Sequence, residues 1–172
     1  MKLPTKALNG TDYFMLNTDE TILNILLTAK NNGNKLLKHF KISYPDKKLA
    51  EENNCILVAV VSAENNLSGF DSQTFKDLVE ILVITKQKDN RKAIRIIKTV
   101  SNEICQLIMD NIDQFPNKPV IRNINPFFDV DLVLNRGQVM VQCNTAPVDW
   151  INTDGDIETV CNLLSEDNIE VD

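Results

Sequence analysis

The spacing of apolar and polar positions changes several times along the chain, and each change marks an element. In "NTDETILNILLTAK" the apolar residues Ile22, Leu23, Ile25, Leu26 and Ala29 fall three and four apart. That spacing predicts an amphipathic helix, with Thr18 or Asp19 as its cap and Glu20 at its positive end. Asn31 to Asn34, with Gly33, ends it, and Leu36, Leu37 and Phe40 add a short helical piece. "NCILVAVVSA" is instead an unbroken apolar run of strand length, the pattern of a strand buried on both faces. A second strand over 76–86 alternates. It places Asp77, Val79, Ile81, Val83 and Thr85 on one face, and Leu78, Glu80, Leu82, Ile84 and Lys86 on the other. The polar residues 64–75, broken by Gly69, predict a long hairpin loop between the two strands.

After the "KQKDN" turn the period becomes helical again. Asp89 or Asn90 caps a helix striped by Ala93, Ile97, Val100, Ile104, Leu107 and Ile108, and widened by Ile94 and Ile96. At about 1.5 Å per residue it spans roughly 34 Å, enough to cross a whole sheet. Pro116 and Pro119 stop it. "FFDVDLVL" alternates, "NRG" predicts a hairpin turn with Gly137 at positive φ, and "QVMVQC" returns. Past Trp150, Asp154 or Asp156 can cap a last helix carrying Ile157, Val160, Cys161 and Leu164.

The sum is an α+β fold: a mostly antiparallel four-stranded sheet of two hairpins, covered by the long central helix, with N-terminal and C-terminal helices. Residues 1–17 read as an N-terminal arm, 18–150 as a single α+β domain, and 151–172 as a C-terminal helix and tail. Whether the two hairpins share one sheet stays open at this level.

Composition removes several functions. The 172 residues are 43% hydrophobic and 24% charged, a globular balance able to hold its own core. A formal charge of −6 argues against nucleic acid as partner, because phosphate binding rests on Lys and Arg. The basic concentrations, Lys35 to Lys48 and Lys86 to Lys98, read as solvated surface. No stretch approaches the ~20 apolar residues of a membrane span, and residues 1–10 lack the apolar segment of a signal peptide. Cys55, Cys105, Cys143 and Cys161 are widely spaced among apolar neighbours, which predicts reduced and mostly buried thiols in a cytosolic setting.

The chemistry-bearing residues are scattered. His39, the one histidine, stands near a helix end with no carboxylate in local spacing, so it reads as a surface residue. Asp129 and Asp131 share a strand face and read first as solvent-facing edge charge. "DGD" at 154–156 opens like a calcium loop but lacks the later ligands. Neither GxGxxG nor GxxxxGK[ST] is present. No cofactor and no catalytic residue is expected; if there were a site, Asp129, Asp131 and Cys143 on one hairpin would be its candidates.

"DLVEILVITKQKDNRKAIRIIKTVSNEICQLI" resembles the middle of tail-terminator proteins, the tail-completion or head–tail joining proteins of long-tailed phages and archaeal proviruses. The matching residues are Val79, Ile81 and Val83 for the strand, Asn90 to Ala93 for the helix entry, then Ile97, Val100 and Ile104 for the stripe. The pattern covers roughly residues 18–145. The arm, the polar stretch 41–54 and the segment after Trp150 depart from it. The resemblance implies a non-enzymatic subunit that forms rings, commonly hexamers, and meets tail-tube or head-connector proteins in the virion or the host cytoplasm. The implied working parts are surfaces: Glu64, Asn65, Asn66, Leu67, Phe70 and Asp71 in the long loop, an acidic face from Asp129, Asp131, Glu64 and Asp71, and Arg136 at the hairpin tip. A cellular protein–protein interaction or regulatory domain of the same α+β plan is the alternative; the mass in solution separates the two.

Overall fold

The computed structural model describes residues 18–67, 72–115, 118–129, 134–144 and 148–149, and the helical residues 161, 162, 164 and 165. The fold is α+β. In chain order the elements are α1 (Thr18–Asn31), a 3-10 turn (Leu37–His39), β1 (Lys41–Ser43), α2 (Lys47–Glu52), β2 (Cys55–Leu67) and β3 (Ser72–Thr85). Then follow α3 (Asn90–Asp110), a second 3-10 turn (Ile112–Gln114), β4 (Val120–Asp129), β5 (Leu134–Asn144) and β6 (Val148–Asp149).

All six strands belong to one sheet, in the order β1-β2-β3-β5-β4, and β6 pairs with the start of β3. The four-stranded antiparallel expectation is therefore corrected. β1 runs parallel to β2, Lys41 to Ser43 against Cys55 to Leu57, and every other pairing is antiparallel. A parallel neighbour requires a crossover. Residues 44–54 provide it through α2, whose cap Asp46 accepts a 3.0 Å hydrogen bond from the Leu49 N–H. Lys86 Nζ donates to the Ala50 carbonyl at 2.6 Å and also to Glu51 O, placing a cation at the negative end of this short helix.

Both sequence-read faces of β3 are correct. Val79, Ile81, Val83 and Thr85 are buried, and Asp77 lies on the same side. Ile56 and Val58 of β2 and Val139, Val141 and Cys143 of β5 join Val79, Ile81 and Val83 in the main core. Against them lie Ile22, Ile25 and Leu26 of α1, and Ala93, Ile97, Val100, Ile104 and Ile108 of α3. Burial of each such isoleucine contributes about 1.5–3 kcal/mol. On the other face a smaller cluster of Cys55, Leu57 and Ile84 packs with Leu49 and Ala50 of α2. Burial on both faces, read from "NCILVAVVSA", thus holds for Cys55 to Val58 and lapses at Val60 and Val61, which are exposed.

The helix ends behave as their residues dictate. Gly33 adopts φ +87°, the Asn34 N–H donates to Ala29 O at 3.0 Å and the Gly33 N–H to Lys30 O at 3.1 Å, a Schellman termination. Asn34 then accepts from the N–H groups of Leu36 and Leu37 at 3.0 Å, and donates to Glu103 Oε1 of α3 at 2.6 Å. Asp89 caps α3 by accepting from the Lys92 N–H at 2.9 Å.

Both hairpin turns move from their expected places. β2 runs to Leu67 and β3 starts at Ser72, so the long loop over 64–75 is mostly strand: Glu64, Asn65, Asn66 and Leu67 pair with Lys76, Phe75, Thr74 and Gln73. Backbone pairing does not require apolar side chains, and the pattern alone ended the strands too early. In the second hairpin β4 already starts at Val120, and β5 includes the whole "NRG". Gly137 is a strand residue opposite Val83, without positive φ. Its role is close approach: a Cβ there would overlap Ile97 Cγ2 of α3. Ser101, also buried on α3, faces the same spot at 3.8 Å, and its hydroxyl has no hydrogen-bond partner. The expected last helix is described only at Cys161, Asn162, Leu164 and Ser165, which are helical; its Asp154 or Asp156 cap, the arm and Trp150 lie outside the described residues.

Gly137→Ala is expected to lower stability by about 1–3 kcal/mol, because the added methyl must displace Ile97 or lift α3. Ser101→Ala relieves the unbonded buried hydroxyl and is expected to raise stability by about 1 kcal/mol. Urea unfolding of both variants checks the pair.

Candidate interaction surfaces

Covering one face of the sheet leaves its edges open. β1 pairs only with the first three residues of β2, so residues 58–67 have no strand on their outer side among the described residues. β4 forms the opposite margin, and residues 120–129 are likewise unpaired outward. Unpaired strand edges carry rows of free N–H and C=O groups, which template pairing with another chain. Exposed apolar residues accompany both: Val60 at 44% and Val61 at 53% on β2, and Val120 at 49% on β4. Each edge is also broken once. The register of β2 shifts between Val60 and Ser62, and that of β4 between Ile124 and Phe127, around Pro126, which has no N–H to offer.

The structure disperses the residues expected to form the interface. Asp129 pairs with Leu134 near the Thr85 end of the sheet, while Glu64 pairs with Lys76 nine residues away along β3. At a strand rise of about 3.4 Å that separates them by roughly 30 Å. Asp129 and Glu64 therefore stand at opposite ends of the sheet within one chain, and Asp129 and Cys143 are too far apart for one chemical site. Cys143 is buried on the helix-covered face. Arg136 sits inside β5, paired with Ile84 and Phe127, and not at a hairpin tip. Phe70, Asp71 and Asp131 lie outside the described residues.

A groove that the sequence did not announce lies at the Thr85 end of the helical layer. It has a volume of about 490 Å³. Leu36, Phe40, Ile96 and Val100 give it an apolar lining, and His39, Lys92 and Arg95 stand around it with Thr85, Gln87 and Thr99. Among the described residues no acidic one lines it. His39 was read correctly as an exposed residue at a helical end. The basic run beginning at Lys86 was read as solvated surface. Its signal is that Arg91, Lys92 and Arg95 open a helix whose first turn has no acid beyond the Asp89 cap, where negative charge is preferred.

Among the described residues no group of three or more His, Cys, Asp or Glu could hold a metal ion, and no helix is long and apolar enough to cross a membrane. The one buried carboxylate that stands out is Asp77, which accepts a 3.5 Å hydrogen bond from the Thr18 N–H and so holds the first turn of α1. Burial raises its pKa above the ordinary carboxylate value, and hydrogen bonding to Thr18 offsets part of the rise. Burial pushes the Cys55 thiol up to about 11, with Lys86 pulling the other way, and raises Cys105 as well.

Two measurements check these environments. A carboxyl whose folded pKa is raised favours folding most below its ordinary pKa, and that contribution is lost as pH rises through the folded value. Melting temperatures of Asp77→Asn relative to the native chain are therefore expected to improve from acid toward neutral pH; an unchanged difference contradicts the assignment. In thiol titration Cys161, which is exposed, is expected to react at once, and Cys55 and Cys143 only on unfolding. No protein-family model matches the chain, and no curated protein is significantly similar to it.

Proposed function

We propose that this chain is a structural assembly subunit that acts by self-association and not by catalysis, of the kind that terminates a virus tail or joins it to the head. The observation that carries the reading is the pair of edges, on opposite margins of one sheet, that no strand covers among the described residues, with Val60 and Val61 exposed on one and Val120 on the other. Two different edges give a heterologous contact, β2 of one copy against β4 of the next, and such contacts build rings when the rotation closes. The breaks at Val60–Ser62 and Ile124–Phe127 favour closure, since they limit each pairing to a short run and add local twist, which opposes flat, endless stacking.

The resemblance of residues 79–104 to tail-terminator proteins supplies the setting: a ring, commonly a hexamer in that family, with tail-tube or head-connector proteins as partners, in the virion or in host cytoplasm where virions are built. Buried apolar contacts supply affinity, and charges around them set the register.

Light scattering after size exclusion is expected to give a multiple of the monomer mass, near six. Val61→Lys with Val120→Lys places a charge on each edge at exposed positions. The double variant is expected to keep its fold and fall to monomer, or to need at least tenfold more protein to assemble. A native chain that stays monomeric at millimolar concentration overturns the reading.

A further inference from the structure

The charge of this chain is segregated. Residues 151–172 contain seven acidic side chains, from Asp154 to Asp172, and no basic one; removing those seven from the total of −6 leaves +1 on residues 1–150. The acidic segment alternates charge with apolar residues: Leu163 and Leu164, then Glu166 and Asp167, Ile169, Glu170, Val171 and Asp172. Its described residues form a helical turn whose side chains are exposed, Leu164 at 60%.

The groove between the 3-10 turn at 37–39 and the first half of α3 is its complement. Its apolar lining is surrounded by Lys92, Arg95 and His39, and among the described residues neither Lys92 nor Arg95 is ion-paired. Lys35 and Lys38, close to His39 in the chain, are exposed as well. Lys92 lies in the first turn of α3, where only the Asp89 cap supplies negative charge, and an acidic occupant adds to it. A volume of about 490 Å³ holds a few side chains of a docked segment.

We infer that this groove receives the acidic C-terminal segment, residues 161–172, of a second copy of the chain. Leu164 enters the apolar part, against Leu36, Phe40, Ile96 and Val100, and Glu166, Asp167 and Glu170 face Lys92, Arg95 and His39. The donor is a second copy because the assembly reading brings neighbouring copies together and the described residues 161, 162, 164 and 165 are exposed in their own chain. The inference deepens the assembly reading and rests on it for the presence of neighbouring copies.

The native Cys161 provides the test, since it is the exposed thiol among the four. In the full-length chain carrying Thr99→Cys, within the groove, mild oxidation with diamide is expected to yield covalent dimers and longer ladders on non-reducing gels. These are expected to vanish in Thr99→Cys with Cys161→Ser. They are also expected to fall at least tenfold when Lys92→Glu and Arg95→Glu are added, and to weaken with salt. Circular dichroism melts check that the charge reversals, at exposed positions, leave the fold intact. Absence of the ladder, a ladder independent of Cys161, or a link closed within one chain overturns the inference. Light scattering separates the two readings. An oligomer of unchanged mass without the link overturns groove docking and leaves edge pairing standing. An intermolecular link that persists in a native-edged chain whose light-scattering mass is otherwise monomeric supports docking and counts against the edge-paired ring.

Discussion

The distance between α3 and β5 governs the rest of the molecule. The helix rests on Gly137 with no room for a methyl group, and the residues of its buried stripe that face the sheet include Ala93 and Ser101. Because the helix lies so low, Ile97, Ile104 and Ile108 reach fully into the core with Val83, Val139 and Val141, and cores packed to that density tolerate little change in volume. The same approach places α1 and α3 on one face, α1 over β2 and β3 and α3 over β3, β5 and β4, and among the described residues only the three residues of β1 pair with an outer margin.

Local conflicts are tolerated because this core can carry them. Asp77 is a carboxylate buried among apolar residues, kept for the helix end that it holds. The basic opening of α3 is a second conflict, with Arg91, Lys92 and Arg95 at an end that prefers acids. The second costs on the order of 0.3–1 kcal/mol, small against the burial of the stripe behind it. Departures of this kind from local preference concentrate where a surface has work beyond folding.

The parts legible in the sequence were those where burial repeats with a period. The stripe of α3, the two faces of β3 and the glycine stop of α1 were all read from residue spacing. What escaped was structure that backbone bonding sustains alone. β1 has three residues, and α2 fully buries none of its side chains, so neither leaves an apolar pattern. The start of β4 was hidden by the asparagines and Pro126 of "VIRNINP", which read as punctuation but mark a bulge on an edge. "NRG" misled for the opposite reason. Its glycine serves a helix that is distant in sequence, and a local rule for turns cannot see that contact. The groove escaped because it depends on the 3-10 turn at Leu37 lying beside α3, a juxtaposition fixed by Asn34 and Glu103.

β3 sits in the middle of the sheet, with β2 before it in the chain and β5 well after it. During synthesis the β2–β3 hairpin can form as soon as both strands have emerged, since its contacts are local. Its second edge then waits, apolar and unmatched, until the ribosome has delivered α3, β4 and β5. α3 emerges first and can shelter the apolar face in that interval. The margin itself stays open to other nascent chains, which makes the speed of translation through residues 111–144 a determinant of yield.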